Sequence, residues 1–592
     1  MKTTNILKTI SALILSSIIE TNFIYGMKPE KVLKGPPASV NSTGNDWENL
    51  LEEMTEAKEE NTNIEQWQEI LLDLASNPIQ LNSATREQLE SIPFLSKEQA
   101  EAISYYVYRY GPVIDLSELK LVEGLDEQSV RWLGHFVCPG DTVKQTSRKT
   151  TLKTILNYGK QELRISGGRS LQNKFGYEKT SAGEQYLGNP WSTTIRYGFN
   201  YKNKIQWGLV MQKDGGEKWL DRNHLPDYWS VHLAIRETGR IKALVVGDYS
   251  LSFGQGLVCG NSFSLGKALN GGNPEVYGQE IRRHFSAAES GYLRGIAGSF
   301  HLGKRPFSTI QKPDLNELIL TVFSSQRKLD GNLTDDTFTT ISENGLHRTK
   351  NEILNKERIN MSSLGFHLSF NLKYAELGLT GISWTFDEKW DPTWKPYNCF
   401  YFRGNSGGNL SANYRIRWAG STFYGELASD KNRHLSAIGG VTLHPLSRIS
   451  ISTLIRYYSP EYCSFYGNAF SENNGIRNEK GLFSSVEWRI IRSVRINAFY
   501  DVFLFPWLVY GVNAPSYGNE KGIQAILQFN PYSEMTFRVK TKQKDHNEES
   551  ITEKYPETVN IRKSQYRLQY SGKLSSWNFK TTLDANAIKK TK

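Results

Sequence analysis

Residues 195–204 read IRYGFNYKNK, and their pattern decides the kind of fold. Ile195, Tyr197, Phe199 and Tyr201 alternate with Arg196, Gly198 and Asn200, and the run Asn200-Tyr201-Lys202-Asn203-Lys204 is turn material. Successive side chains of a β-strand point to opposite faces, so this alternation predicts a strand with one apolar face. Leu364, Phe366, Leu368 and Phe370 alternate in the same way with Gly365, His367 and Ser369. Ile523, Ala525, Leu527 and Phe529 repeat the pattern, and so do Tyr566, Leu568 and Tyr570. It begins near Thr151 and continues to the end of the chain.

A soluble sandwich hides its apolar faces between sheets, whereas an outer-membrane barrel turns them to lipid around a polar lumen. Three features favour the barrel. The region is about 440 residues long without a clear break. Its segments run nearer ten residues than the five or six usual in soluble sheets. Aromatic residues gather at segment ends, as in Trp384, Trp390, Trp394 and Tyr397. The expected fold is therefore a small all-α domain followed by a large antiparallel transmembrane β-barrel of roughly 18–22 strands over residues 151–592.

Composition supports this. Of 592 residues, 38% are apolar, yet aromatics reach 12% and Gly numbers 49, which rules out a disordered chain. Cys138, Cys259, Cys399 and Cys463 are too scattered for a disulfide framework or a metal knuckle. Beyond the N-terminus no stretch approaches the ~18 apolar residues of a spanning helix. At the start, Lys2 and Lys8 precede the apolar run Ile10 to Ile19, so residues 1–26 read as a secretory signal peptide. Residues 27–63 form a linker, turn-rich from Gly35 to Asn45, with an acidic helix.

Residues 64–140 are helical. Ile64, Trp67, Ile70, Leu71 and Leu74 recur at helical spacing. Thr85 with Gln88 and Ser96 with Gln99 match capping boxes, Pro93 stops the first of these helices, and Gly111-Pro112 ends the second near Tyr110. Further helices are expected from Ser117 and Asp126, around Val122-Glu123-Gly124-Leu125. Residues 141–150 read as a second linker.

The stretch Leu81-Asn82-Ser83-Ala84-Thr85, with Ile92-Pro93-Phe94-Leu95-Ser96, Tyr110-Gly111-Pro112 and Val122-Glu123-Gly124-Leu125, resembles the tandem helix-hairpin-helix domain of ComEA-type DNA receptors. The resemblance covers roughly 60 residues and implies nucleic-acid contact through the hairpins, here Pro93, Phe94, Leu95, Ser96 and Lys97, then Gly124, Leu125 and Asp126. In that family hairpin glycines let backbone N–H groups approach phosphate. Phe94, Ser96 and Asp126 stand where glycines are expected. Residues 64–140 carry 12 acidic and 5 basic side chains, a balance that repels phosphate. The residues themselves favour protein contact, or a role as periplasmic plug or spacer. Together with the helical domain, Gly247-Asp248-Tyr249, Phe253-Gly254-Gln255-Gly256-Leu257 and Leu346-His347-Arg348-Thr349 resemble exported bacterial proteins that place such a domain before a barrel. That group supplies no activity to transfer.

Charge is divided: residues 1–140 carry −10 and residues 141–592 carry +20. On one strand Arg538, Lys540, Lys542 and Lys544 share a face, with Met535, Phe537 and Val539 on the other. Facing a lumen, the basic side would prefer anions or polyanions; beyond the bilayer it would meet lipopolysaccharide phosphates or water. Gly254, Gly256 and Gly260 miss the dinucleotide fingerprint and are expected to mark a kinked strand or an inward constriction. Loops are expected at Lys328–Asn360, Ser459–Gly481 and Lys542–Glu557.

The ten His show no HExxH and no paired metal spacing, and neither a GxSxG elbow nor a Walker loop is present. No catalytic residue, metal or cofactor is assigned, and an enzyme is not expected. The last strand is expected near 575–588, and the chain stops at Lys592 without a terminal aromatic, so either truncation or an atypical seam is expected. The functional expectation is an exported outer-membrane transport or channel protein with its helical domain in the periplasm. Outer-membrane lipid, lipopolysaccharide, DNA or another polyanion, and periplasmic proteins are its expected partners. The alternatives are a non-transporting interaction or assembly protein whose acidic domain docks periplasmic partners, and a barrel enzyme acting on lipid or glycan.

Overall fold

The computed structural model describes residues 64–140 and 152–591, interrupted at 179–184, 220–225, 262–266, 268–273, 304–315 and 549–556 and at a few isolated positions. The expected signal peptide, the segment 27–63 and the linker 141–150 lie outside the described residues. No described helix is long and apolar enough to cross a membrane.

The front domain contains α1 (Ile64–Ser76), α2 (Arg86–Leu89), α3 (Lys97–Tyr110), a 3-10 turn (Leu116–Leu121) and α4 (Glu127–Phe136). Thr85 and Gln88 exchange both bonds of a capping box at the start of α2. Ser96, the other expected cap, lies outside the described residues. Its expected partner Gln99 donates from Nε2 to the Gly124 carbonyl at 3.0 Å, tying one hairpin to the other. The helix expected from Ser117 is the 3-10 turn, capped two residues earlier by Asp115 with Glu118. Leu71, Ile92, Leu95, Ile103, Leu119 and Leu133 fill the core. Asn82 fastens the two halves: its Nδ2 donates to the Val113 carbonyl at 2.9 Å, and its Oδ1 accepts the Val113 N–H at 2.7 Å. The short strand Ile79–Gln80 pairs with Val137–Cys138 and brings the ends of the domain together.

Residues 152–158, expected to begin the strands, form the short helix α5 (Leu152–Tyr158). The first barrel strand follows at Lys160–Arg169. A side chain at Gly159 would meet the Phe199 ring, with Cβ only 2.1 Å away, so glycine is needed where the helix turns into the wall.

Twenty-one described strands follow one another around the barrel. Two of them, Ile281–Arg283 and Thr337–Ser342, are short side pieces. Neighbouring wall strands pair antiparallel throughout. The ring closes where Trp577–Thr591 comes beside Lys160–Arg169. Following the alternation round the ring leaves these two strands running in the same direction, so the seam is parallel. Among the described residues it lacks the long residue-by-residue ladder that joins Trp577–Thr591 to Thr558–Leu574.

The wall has its polar side inward. Leu364 is 66% exposed, while His367 and Ser369 on the same strand are buried. Leu410 and Leu427 are exposed beside buried Ser411 and Glu426, and Leu482 beside Ser485. A soluble protein buries the opposite set, whereas a barrel in lipid shows this one. Short turns lie at one end, as at 419–420, and longer excursions at the other. Several excursions are smaller than expected because strands run on into them. Glu317–Thr334 folds back through Thr337–Ser342 before α6 (Lys350–Leu354), and Ser533–Asn547 extends well into the expected last loop.

Candidate functional site

The site is the lumen, which is stoppered at two levels. At the short-turn end, periplasmic in barrels of this type, the front domain is fastened to the wall by ion pairs. On α1, Glu69 binds Arg196 of strand Trp191–Tyr201 and accepts the Ala287 N–H at 3.0 Å, and Asp73 binds Arg283. The Arg196 and Arg283 guanidiniums flank the Phe285 ring, with centroid distances of 5.8 and 5.1 Å. Lys160 donates to the Ser76 carbonyl, and Arg164 reaches the Ser76 hydroxyl at 3.1 Å. Glu101 of α3 binds Arg417 beside a short turn. Two pairs have the opposite polarity: Arg86 with Glu376 at 3.0 Å, and Arg131 with Glu534 at 3.1 Å. Burial would lower the Arg86 pKa, but Glu90, Glu376 and Glu101 outweigh it and hold that pKa above the usual value.

The second level is inside the barrel. The ladder with Tyr228–Thr238 ends at Gly247, which has φ +101°, and residues 252–260 fold inward with Leu257, Val258 and Cys259 buried. Glu426, on the inner face of Ser421–Asp430, accepts the Gln255 and Leu257 N–H groups at 2.7 and 3.1 Å with Oε2. Gly256 has φ +85°, and a Cβ there would sit 2.6 Å from the Asn468 carbonyl oxygen. The second inserted loop, 459–478, lies against the first: Tyr462 donates to the Leu257 carbonyl at 3.0 Å, and Gly260 N–H to the Tyr466 carbonyl at 2.9 Å. Phe253 stacks on His367 of the nearby wall strand Ile359–Asn371, with ring centroids 4.3 Å apart. The expected inward constriction is thus a packed stopper.

Charged latches hold the second loop. Lys267 bridges Glu472, Asp501 and Glu520 at 2.7–2.9 Å. Arg456, fully enclosed, binds Glu479 at 2.5 Å and Asp501 at 2.8 Å. The basic strand faces this network: Lys540 lies 2.9 Å from Glu520, while Lys542 and Lys544 lie 2.8 and 3.8 Å from Glu472. Arg538 Nε donates to Gln524 at 3.2 Å. Phe537 on the other face is exposed.

The hairpin residues are dispersed. Pro93, Phe94 and Leu95 are buried in the helical domain, with Phe94 against Trp132 and Phe136. Gly124 is exposed with φ +85°, and Leu125 is buried. Ser96 and Asp126 lie outside the described residues, as does the Lys97 side chain. Sequence reasoning missed the acidic side chains of α1 as barrel contacts, and its only signal for them was the charge division.

Residues 75–138 match the model of the helix-hairpin-helix motif. The front domain is a helix-hairpin-helix domain. No curated protein matches the chain. Among solved structures, Wzi of Escherichia coli, an outer membrane carbohydrate-binding β-barrel involved in group 1 capsule assembly, shares 10% identity. That alignment covers 73% of this chain and 83% of Wzi, with a TM-score of 0.29. The outer membrane protein opdK from Pseudomonas aeruginosa shares 11% identity over 67% of this chain and 92% of its own, with a TM-score of 0.32. OmpT of Vibrio cholerae shares 6% over 60% and 80%, with a TM-score of 0.23. Such values are too low to carry function, and the assignment of an outer-membrane barrel rests on its inside-out wall.

Proposed function

We propose that the protein is a gated outer-membrane transport component, closed at rest, with the helix-hairpin-helix domain as its periplasmic gate. The observation that carries this is the ionic character of both seals. Barrels of 16–18 strands leave an aqueous channel, and wider transporters plug theirs. Here the plug is latched by enclosed charges, Lys267 and Arg456 among them. Buried ion pairs cost several kcal/mol per ion in desolvation, and apolar packing of the same volume is often as stable or more so. A barrel that only had to stay shut is more simply filled with apolar side chains. Charges suit a closure that water, or a charged cargo, can release. The basic face of Lys540, Lys542 and Lys544 makes an anionic cargo the natural one.

The test is single-channel recording of the full chain in planar bilayers. The native protein should be closed for most of the record. A variant with the mouth pairs reversed (Glu69→Arg, Asp73→Arg) and the inner latch cut (Glu472→Gln) should show long open events that favour anions. If that variant stays silent while keeping the heat-resistant mobility of a folded barrel, the non-transporting interaction reading takes its place.

A further inference from the structure

On the extracellular side, away from the stopper, four segments bring one histidine and three carboxylates together. Glu217 follows strand Ile205–Lys213, Asp227 precedes Tyr228–Thr238, Asp330 lies at the outer end of Glu317–Thr334, and His347 stands just before α6. The donor atoms of Glu217, Asp227 and His347 lie within 4.8 Å of one another. No spacing rule reveals such a group, which is why the sequence reading assigned no metal.

The donors are hydrogen-bonded to one another and to their surroundings. Asp227 presents Oδ2 to His347 Nδ1 at 2.6 Å, while its Oδ1 takes Lys356 Nζ at 2.6 Å. Glu217 accepts the His347 and Asp214 backbone N–H groups at 2.8 and 2.7 Å. On the far side of the ring, His347 Nε2 lies 2.9 Å from Asp330 Oδ2. Glu289 completes the group, packed against Gly345, where a Cβ would sit 2.4 Å from its carboxyl carbon. Among the described residues no donor reaches the Glu289 carboxylate. Four carboxylates thus gather around one imidazole, with Lys356 beside Asp227. Lys213 and Arg348 lie near Glu217 while also bonded to Asn189 and Glu352, and Arg327 donates to the Glu289 and Tyr292 carbonyls.

We propose that Glu217, Asp227 and His347 bind a divalent transition-metal ion, with Asp330 as the positioning carboxylate behind the histidine. A ligating histidine commonly gives its second ring N–H to a carboxylate, which fixes the tautomer and the ring orientation. Two carboxylate oxygens with one imidazole nitrogen suit zinc, and leave a position open for water. An all-oxygen set would favour calcium or magnesium instead. The ion would tie Glu217 and Asp227 to the segment around His347 and steady the extracellular end of the barrel.

Zinc alone is the probe. The full chain in detergent micelles is stripped with a chelator and titrated calorimetrically with zinc, then separately with calcium. The expected result is one saturable zinc per chain, tighter than calcium. His347→Ala should abolish it, and Asp330→Asn should weaken it by about 10–100-fold, as loss of an orienting partner does. Heat-resistant mobility confirms that both variants remain folded. Absence of saturable zinc binding, binding unchanged in His347→Ala, or a preference for calcium would each overturn the site. None of these readouts depends on conductance, so the proposal stands or falls separately from the gate.

Discussion

Phe366 and His367 are adjacent in the chain and sit in opposite solvents. Phe366 is exposed on the outer face, while His367 is buried, bonded to Thr380 and stacked on Phe253. If the outer face meets hydrocarbon, Phe366→Arg should cost about 2–4 kcal/mol near the bilayer midplane. Denaturant unfolding from lipid vesicles measures this, and an unchanged midpoint would refute the lipid-facing wall. In the helical domain, Asn82 satisfies both backbone groups of Val113. Asn82→Ala leaves them without partners and should destabilise the domain by about 1–3 kcal/mol. Faster hydrogen exchange of the Val113 amide in the full chain is the expected sign.

Among elements, the 252–260 stopper shows how a strand is turned into a plug. Gly247 breaks the ladder with Tyr228–Thr238, Gly256 takes a left-handed φ against the Asn468 carbonyl, and Glu426 gathers the freed N–H groups. Gly256→Val combines a strained φ with a backbone clash and should cost about 1–3 kcal/mol, displacing the loop. Cys259 is buried within it. A small maleimide, followed by mass spectrometry, should leave Cys259 unlabelled in the native protein and labelled in the variant. Equal protection in both would mean that the loop tolerates the change. The glycine run announced an irregular strand, but which carboxylate it would meet, Glu426 about 170 residues later, depends on how the sheet closes.

Across the whole molecule, the division of charge becomes a contact within one chain. The acidic front domain spends Glu69, Asp73 and Glu101 on Arg196, Arg283 and Arg417 of its own barrel. Arg196 is buried, but Asp73, Glu101 and Arg417 are partly exposed, and exposed pairs are each worth roughly 0–1 kcal/mol and weaken as salt shortens the Debye length. Raising salt tenfold from about 0.05 M should therefore loosen α1, seen as faster hydrogen exchange there while the barrel amides stay protected. No change would place the fastening in apolar packing. The sequence by itself determined the local periods, the Thr85–Gln88 cap of the helical domain and the alternation of the strands that points to a barrel, because each depends on neighbours a few residues apart. The parallel seam, the inward stopper, the pairing of the basic strand with Glu472 and Glu520, and the gathering of Glu217, Asp227 and His347 were decided only by tertiary structure. These join residues tens to hundreds of positions apart, and closing the ring is what sets their distances.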